Sequence, residues 1–222
     1  MASVGEGESA KSAYKILEKL TDVGDFLGVR GELFYTHKGE LTLFANEFTI
    51  LTKSIRPLPE KWHGIADEEI AYRERYLDLI TNDATYERFL FRSRFMKSLR
   101  DFYESEGFLE VETPILGNAA SGAAAQPFMT RHNDYDLDVF LRISPETALK
   151  KLTVGRFEKI FEIAKDFRNE GSDPSHLQEF TMVEHYAVYW SYEDNMVFAE
   201  KMIQSLFTRL GLPAVIQIED KE

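Results

Sequence analysis

The sequence predicts an α+β protein, with grouped antiparallel strands flanked by helices, and three observations lead to this fold class. Apolar and polar residues alternate with a period of two in two regions, at 26–51 and at 157–190. Turn-forming residues join neighbouring strands within each region. Apolar residues at three- and four-residue spacing instead fill 85–106, and a capping box at Ser191 and Asp194 marks the start of another helix.

The first region is predicted to form a small β module, after a short helix at "AYKILEKL". Its strands are expected at Phe26–Phe34, Leu41–Ala45 and Glu47–Leu51, with a hairpin turn at "HKGE". Three strands are too few to form a complete barrel. The following "IRPLPEKWHG" contains two prolines and is predicted to be a linker.

The second region begins with a helix predicted at Thr85–Glu106, and Gly107 supplies its C-terminal cap. A strand at "FLEVETPIL" is ended by Pro114, and another strand is predicted at "DLDVFLRI". Ser144 is expected to cap the next helix, with Pro145 at its first position.

Two further strands are predicted at "FEKIFEIAKDFRNE" and "QEFTMVEHYAVYW". They are joined by "GSDPSH", so they form a hairpin. Ser191 and Asp194 form a capping box for a last helix that stops at Gly211.

Composition restricts the class of protein and its partners. The chain has no cysteine, which excludes disulfides and thiolate metal sites and agrees with a reducing cytoplasm. The net charge of -12, taken alone, argues against a nucleic-acid partner. No stretch approaches the ~20 apolar residues of a membrane span, so no membrane partner is predicted.

The period of two places charged and aromatic side chains on one face of the second hairpin. Arg168 suits a phosphate because its fork makes two charge-assisted hydrogen bonds, Phe180 suits a planar base, and Glu184 suits an ammonium group. The alternative is a solvated sheet face with Arg–Glu pairs, each worth about 0–1 kcal/mol. The residues expected on this face are Glu162, Ala164, Asp166, Arg168 and Glu170 in the first strand and Phe180, Met182, Glu184 and Tyr186 in the second.

The segment "FRNEGSDPSHLQEFTMVEHY" closely resembles motif 2 of the class II aminoacyl-tRNA synthetases, and "GFLEVETPIL" resembles motif 1. The phrases "LRISPETALKKL" and "FEKIFEIAKDFRNEG" are similar to lysine–tRNA ligases, with the aspartate and asparagine ligases as nearest relatives. This resemblance implies the class II antiparallel sheet flanked by helices, preceded by part of an OB-fold barrel. The implied domains are a partial OB-fold anticodon-binding domain with an N-terminal tail at 1–55, a linker at 56–84, and a partial class II catalytic domain at 85–222.

The resemblance also implies a function. The expected enzyme activates L-lysine with ATP to lysyl-adenylate and transfers it to tRNA(Lys), as a cytoplasmic homodimer, with Mg²⁺ ligands beyond residue 222. The dimer contact would be the helix Thr85–Glu106 and the strand ended by Pro114. Alternatives are a synthetase-like paralogue, either non-catalytic or placing lysine on a protein, and a related aspartate or asparagine ligase. The first OB strands are expected to precede residue 1 and motif 3 to follow residue 222, so the chain alone is expected to be weakly stable and to activate lysine poorly.

Individual roles are implied by the same resemblance. Arg168 is the expected catalytic residue and meets the α-phosphate of ATP, Glu170 meets the adenine amino group, His176 meets the γ-phosphate, and Phe180 stacks on adenine. The residues expected to bind lysine are Gly122, Ala123, Glu146, Glu184 and Tyr186. Those expected to contact tRNA are Arg30, Phe34 and Lys38.

Overall fold

A computed structural model describes residues 3–4, 14–15, 17–56, 58, 65, 67–213 and 215. The chain forms two compact units, Met1–Arg88 and Phe89–Glu222. The predicted domain bounds at 55/56 and 84/85 stay predictions. Most of the N-terminal tail and of "IRPLPEKWHG" lies outside the described residues, as does Ile16 of the predicted first helix, whose described residues are helical.

Besides the helical residues at 14–15 and 17–20, the described part of the first unit contains a three-stranded sheet and two short helices between residues 68 and 81. The sheet order is β1 (Ser3–Val4), β3 (Leu41–Thr52) and β2 (Phe26–Tyr35), with β2 and β3 antiparallel. The helices are α1 (Glu68–Arg73) and α2 (Arg75–Thr81), both within the predicted linker.

The prediction of two strands between residues 41 and 51 is wrong, because β3 is continuous. Arg30 pairs with Glu47 while Gly31 pairs with Ala45, so Asn46 is an extra residue that forms a β-bulge. A Cβ at Gly31 would lie 1.9 Å from the carbonyl oxygen of Phe44, which only glycine avoids. The bulge interrupts the period of two and so resembles a strand end in the sequence.

The long helix is confirmed as α3 (Asp83–Ser105), and its end shows why it stops. Gly107 has φ +80°, and its N–H donates to the Glu104 carbonyl at 3.0 Å. The N–H of Phe108 donates to the Tyr103 carbonyl at 3.0 Å, and their rings pack at 5.4 Å between centroids. These contacts form a Schellman motif, which turns the chain towards the sheet.

The second unit contains two three-stranded sheets and confirms the α+β class. One sheet has the order β4 (Leu109–Glu110), β8 (Lys159–Phe167) and β9 (Glu179–Ala187). The other has the order β5 (Leu116–Gly117), β7 (Leu137–Leu141) and β6 (Met129–His132). Helices α4 (Glu146–Val154) and α5 (Tyr192–Leu210) follow β7 and β9.

The predicted single strand "FLEVETPIL" is in fact two short strands in different sheets. Leu109–Glu110 pairs parallel to β8, whereas Leu116–Gly117 pairs antiparallel to β7. Pro114 lies between them, where its missing N–H prevents continuous pairing. The chain therefore passes from one sheet to the other at this proline.

The helix caps lie where the sequence predicts them, except that the N-cap of α4 is one residue later. Ser191 accepts from the Asp194 N–H in a complete capping box, and Gly211 ends α5 at φ +65°. Pro145, rather than Ser144, is the N-cap of α4, although the Ser144 hydroxyl still accepts from the Glu146 N–H at 3.1 Å. That hydroxyl has a second partner, the Glu184 carboxylate on β9.

The core of the second unit is an aromatic cluster behind the β8–β9 hairpin. The rings of Tyr103 and Phe161 stack at 4.5 Å between centroids, and Phe198 from α5 packs against Tyr103 at 5.5 Å. The buried members of the cluster are Leu99, Phe102, Tyr103, Phe108, Phe161, Phe198 and Leu206.

A series of side-chain hydrogen bonds crosses this cluster, from Tyr103 through His185 to Asn195. Nε2 of His185 lies 2.7 Å from Oδ1 of Asn195, which only accepts, so Nε2 carries the proton. Nδ1 of His185 therefore accepts from the Tyr103 hydroxyl at 2.8 Å. Burial lowers the pKa of His185 and raises that of Tyr103 to about 12, which keeps both groups neutral at pH 7.

In the part of the chain that the structure describes, none of the helices has the length and apolar character to cross a membrane.

Candidate active site

The register of the hairpin confirms which side chains share a face. Glu162 pairs with Glu184, Ala164 with Met182, and Asp166 with Phe180. Residues that pair across two strands point to the same side of the sheet, so the polar and aromatic side chains lie together as predicted.

The part of this face formed by Glu162 and Asp166 of β8 is buried rather than presented to solvent, which corrects the sequence interpretation. Glu162 is 3% exposed and Asp166 is 0% exposed. The alternative of a solvated face is wrong for these two residues, although Glu162 does pair with an arginine. Their cation is Arg142, which follows β7 and belongs to neither strand of the hairpin.

Arg142 holds a compact buried network. Its Nη1 donates to Oε1 of Glu162 at 2.6 Å and to the hydroxyl of Thr113 at 3.0 Å, and that hydroxyl donates to Oε2 of Glu162 at 2.7 Å. Nε of Arg142 lies 3.3 Å from Oδ1 of Asp166 and donates to the carbonyl of Lys165 at 2.9 Å. The network thus connects Thr113, directly before Pro114, to the buried carboxylates of β8.

Asp166 is the poorly satisfied member of that network. Both carboxylate oxygens are buried, and neither has a hydrogen-bond partner among the described residues. Burial raises the pKa of Asp166 to about 6, against the opposing effect of Arg142.

The four residues predicted to bind ATP surround one cavity of about 250 Å³. Its described lining consists of Arg168, Glu170, Gly171, Ser175, His176, Leu177 and Phe180. The Arg168 guanidinium carbon lies 5.1 Å from the centre of the Phe180 ring. The cavity therefore combines a delocalised cation, an aromatic ring, a carboxylate and an imidazole.

Arg168 is held loosely by the protein. Its Nε and Nη2 both point to the Ile143 carbonyl oxygen, at 3.4 and 3.5 Å, which is long for an N–H···O bond. Packing on Phe180 fixes the plane of the guanidinium, while these donors remain weakly engaged. Such a fork can exchange its long bonds for stronger ones to a phosphate.

The loop before β6 is tied to the same cavity through one backbone. The N–H of Gln126 donates to Oε1 of Glu170 at 3.0 Å, and its carbonyl accepts from the Asn169 N–H at 2.7 Å. The Gln178 amide also donates to the carbonyl of Glu170 at 2.9 Å. Glu170 is exposed but held at two points.

A turn built on Asp173 fixes His176. Oδ1 of Asp173 accepts from the backbone N–H groups of Ser175 and His176, at 2.7 and 2.9 Å, and Oδ2 lies 2.8 Å from Nδ1 of His176. These hydrogen bonds lower the pKa of Asp173 to about 2, and the bond from the Ser175 N–H has the largest effect. The carboxylate of Asp173 therefore stays ionised. The histidine is thus an ordered part of the loop.

Three of the five residues predicted to bind lysine, Gly122, Glu146 and Glu184, meet around Ser144. Its hydroxyl donates to Oε1 of Glu184 at 2.7 Å and accepts from the N–H of Glu146. Gly122 has φ +92°, and a Cβ there would lie 3.0 Å from both the Ser144 hydroxyl oxygen and Cβ of Glu146. Gly122 is therefore in close approach to both residues, whereas Ala123 is exposed in the same loop.

A cation already lies among these groups. Nζ of Lys150 is 2.5 Å from Oε1 of Glu146 and 6.0 Å from the centre of the Tyr186 ring. Burial, with the nearby Glu184 and Glu146, raises the pKa of Tyr186 to about 12. Burial likewise raises the pKa of Glu184, although the Ser144 hydroxyl opposes that shift.

Several site residues were missed by sequence reasoning. Arg142 follows a strand with the period of two, and Ser144 was assigned only a capping role, so neither pattern indicated the partner carboxylates. Gln126 contributes only backbone atoms, which leave no side-chain signal. A larger cavity of about 560 Å³ includes Arg142 and Ser144 in its described lining but none of the residues predicted for lysine or ATP.

The residues predicted to contact tRNA lie in the first unit. Arg30 and Phe34 are on β2, and Lys38 is in the hairpin turn. All three are exposed, and Arg30 has Glu47 at 3.9 Å. Their role stays a prediction.

The described residues contain no cluster of three or more histidine, aspartate and glutamate side chains arranged to hold a metal ion. The prediction that the Mg²⁺ ligands lie beyond residue 222 stays a prediction.

Comparisons with known proteins agree on one family. Residues 67–220 match the family model described as tRNA synthetases class II (D, K and N). Proteins named lysine–tRNA ligase are similar to the chain: the one from Carboxydothermus hydrogenoformans is 52% identical over 198 residues, and the one from Thermotoga maritima is 48% identical over 212. These matches cover 89% and 96% of this chain but only 40% and 42% of the relatives. The chain therefore spans about two fifths of the length of the relatives that it matches.

Proposed function

The chain belongs to the class II tRNA synthetases of the D, K and N group, and from this premise we propose that it carries the amino-acid-activating site of a lysine–tRNA ligase. The observation that carries the proposal is the single cavity formed by Arg168, Glu170, His176 and Phe180, the four residues predicted for ATP. The similar ligases support the same assignment at about half identity.

The charges of the second group of residues favour lysine over aspartate or asparagine. Glu146, Glu184 and the Tyr186 ring form an acidic and aromatic surface, and the Lys150 ammonium already lies against part of it. A substrate ammonium is attracted by such a surface, whereas the side-chain carboxylate of aspartate is repelled. Asparagine carries no side-chain charge to match it.

The proposed reaction needs no covalent enzyme intermediate. A carboxylate oxygen of lysine attacks the α-phosphorus of ATP, the bond to the bridging oxygen of the β-phosphate breaks, and pyrophosphate leaves with that electron pair. Arg168 binds the α-phosphate oxygens and stabilises the charge that grows on them. Phe180 and Glu170 orient the adenine, and His176 contacts the γ-phosphate. Mg²⁺, when bound, neutralises phosphate charge.

Glu184→Gln tests the lysine assignment. The change keeps the shape and removes the negative charge, so the KM for lysine should rise about tenfold or more while the KM for ATP changes little. The measurement is lysine-dependent ATP–pyrophosphate exchange at varied lysine, made on the natural protein at its full length.

Glu158→Gln, at an exposed carboxylate before β8, is the matched control and should leave both constants unchanged. An unchanged lysine KM in Glu184→Gln would show that Glu184 serves a protein cation instead. Exchange that depends on aspartate or asparagine, or no exchange with any amino acid, would favour the related ligases or a non-catalytic paralogue.

We also propose a homodimer that uses the first half of α3 and the segment ended by Pro114. Phe102 and Tyr103 in the second half of α3 belong to the protomer's own core, but Phe89, Leu90 and Phe91 are 45%, 38% and 37% exposed. Exposed apolar residues of this kind favour an interface. Sedimentation of the protein at micromolar concentration should give twice the chain mass, and a strictly monomeric mass would contradict the proposal.

For the transfer step, the anticodon part of tRNA(Lys) is proposed to bind the first unit. The protein is proposed to act in the cytoplasm. Exposed Arg30, Phe34 and Lys38 offer two cations for phosphates and one ring for base stacking. The anticodon is the proposed ligand despite the net charge of -12. If removing 1–55 left the affinity for tRNA(Lys) unchanged, this module would not be the recognition surface.

A further inference from the structure

Ser144 occupies the junction between β7 and α4, where three parts of the site meet. The residue is 7% exposed, so its hydroxyl is screened from bulk water. Its contacts come from the N-terminus of α4, from β9 and from the loop of Gly122.

The direction of its single hydroxyl proton is fixed by these contacts. The N–H of Glu146 is a donor, so at 3.1 Å it must point to a lone pair of the Ser144 oxygen. The proton is then available to an acceptor, and Oε1 of Glu184 lies 2.7 Å away. A hydrogen bond to an ionised acceptor is shorter and stronger than a neutral one, which agrees with this distance.

We propose that Ser144 is a positioning residue that holds the Glu184 carboxylate in the orientation and ionised form that bind the ammonium group of the amino-acid substrate. The inference rests on the proposed function, because it takes Glu184 as the carboxylate that meets the ammonium. The hydroxyl occupies Oε1 of Glu184, so Oε2 is directed to the substrate.

The same serine links two residues of the proposed lysine site, the backbone of Glu146 and the carboxylate of Glu184. By accepting from the Glu146 N–H it anchors the first turn of α4, and by donating to Glu184 it anchors the centre of β9. Gly122 confines the hydroxyl, because even a methyl group at that position would come within 3.0 Å of the oxygen. One side chain thus connects the first turn of α4 to the Glu184 carboxylate.

Ser144→Ala removes the donor and tests the proposal in two ways. Burial already raises the pKa of Glu184 while the Ser144 hydrogen bond lowers it, so the variant should raise that pKa further. The dissociation constant for L-lysine at pH 7.5 should increase about tenfold, the size expected for a lost hydrogen bond to a charged group. The acid-side loss of lysine binding should move to higher pH.

The pKa is measured by ¹³C NMR of the glutamate carboxyl carbons, with Glu184 assigned from Glu184→Gln, and the affinity by calorimetry. Ser144→Cys fills the same space with a weak donor, so it should behave like Ser144→Ala. A lysine affinity equal to the wild type in Ser144→Cys, with the Glu184 pKa still raised, would show that the serine acts only by packing and would overturn the proposal. Ser98→Ala on α3 controls for loss of a hydroxyl elsewhere.

The two measurements separate this inference from the proposed function. An unshifted Glu184 titration in Ser144→Ala overturns the inference even if the wild-type protein binds lysine. A wild-type protein that binds no lysine overturns the proposed function and, with it, the role of Ser144 toward substrate. A shifted titration with weaker and more pH-sensitive lysine binding supports both.

Discussion

Replacing Arg168 by alanine is expected to lower lysyl-adenylate formation by about 10²-fold or more, the scale of one lost transition-state donor. The guanidinium lies 5.1 Å over Phe180, and its bonds to the Ile143 carbonyl are long, so the side chain contributes little to the fold and is available to the α-phosphate. The rate of lysine-dependent ATP–pyrophosphate exchange measures the effect.

Two further substitutions define what Arg168 does. Arg168→Lys keeps the charge but not the two-pronged geometry, so it should recover only part of the rate. Arg131→Ala removes an arginine that pairs with Asp136 and Asp138 in exposed positions, and it should leave the rate unchanged. Exchange kinetics equal to the wild type in Arg168→Ala would refute its catalytic assignment.

Replacing Arg142 by leucine is expected to decrease the free energy of unfolding by about 3–5 kcal/mol, because a buried ion pair then loses one partner. Glu162 and Asp166 are 3% and 0% exposed, and both depend on this guanidinium. Urea unfolding at pH 7 gives the difference. Arg131→Leu is matched in chemistry but exposed, so it should change stability by about 0–1 kcal/mol.

The destabilisation by Arg142→Leu should depend on pH. The pKa of Asp166 in the folded wild-type protein is raised to about 6 from an ordinary value of 3.8, so the folded state holds this proton more tightly than the unfolded state does. Stability from this group is present below about pH 4 and is lost as the pH rises towards 6. Without Arg142 that loss is larger, so the variant should be closer to the wild type at pH 5 than at pH 7. Equal effects of Arg142→Leu and Arg131→Leu at pH 7 would contradict the buried network.

Local patterns predicted local structure well. The period of two located β8 and β9 and the side chains that share their face, and Ser191, Gly107 and Gly211 marked helix ends through their own backbone geometry. The period of two also placed Arg168, Glu170 and Phe180 on one face, whereas His176 and the ATP-binding roles of all four residues came from the resemblance.

The failures involve contacts between distant parts of the chain. Asn46 interrupts the alternation without ending β3, because a bulge restores the pairing one residue later. The burial of Glu162 depends on Arg142, which is 20 residues away in sequence. Ser144 has the same signature whether its proton reaches water or Glu184, so its role depends on tertiary packing.

The position of His185 has a consequence for how the site moves. Glu184 and Tyr186 lie on one side of β9, while His185 between them is bonded through the core to α3 and α5. The strand cannot separate from β8 without breaking those bonds and exposing the aromatic cluster. Opening at this strand therefore requires about the same free energy as unfolding the whole unit. The backbone amides of Glu184 and Tyr186, which face β8, should then exchange with deuterium about as slowly as those of the central core, and faster exchange there would show that the strand opens on its own.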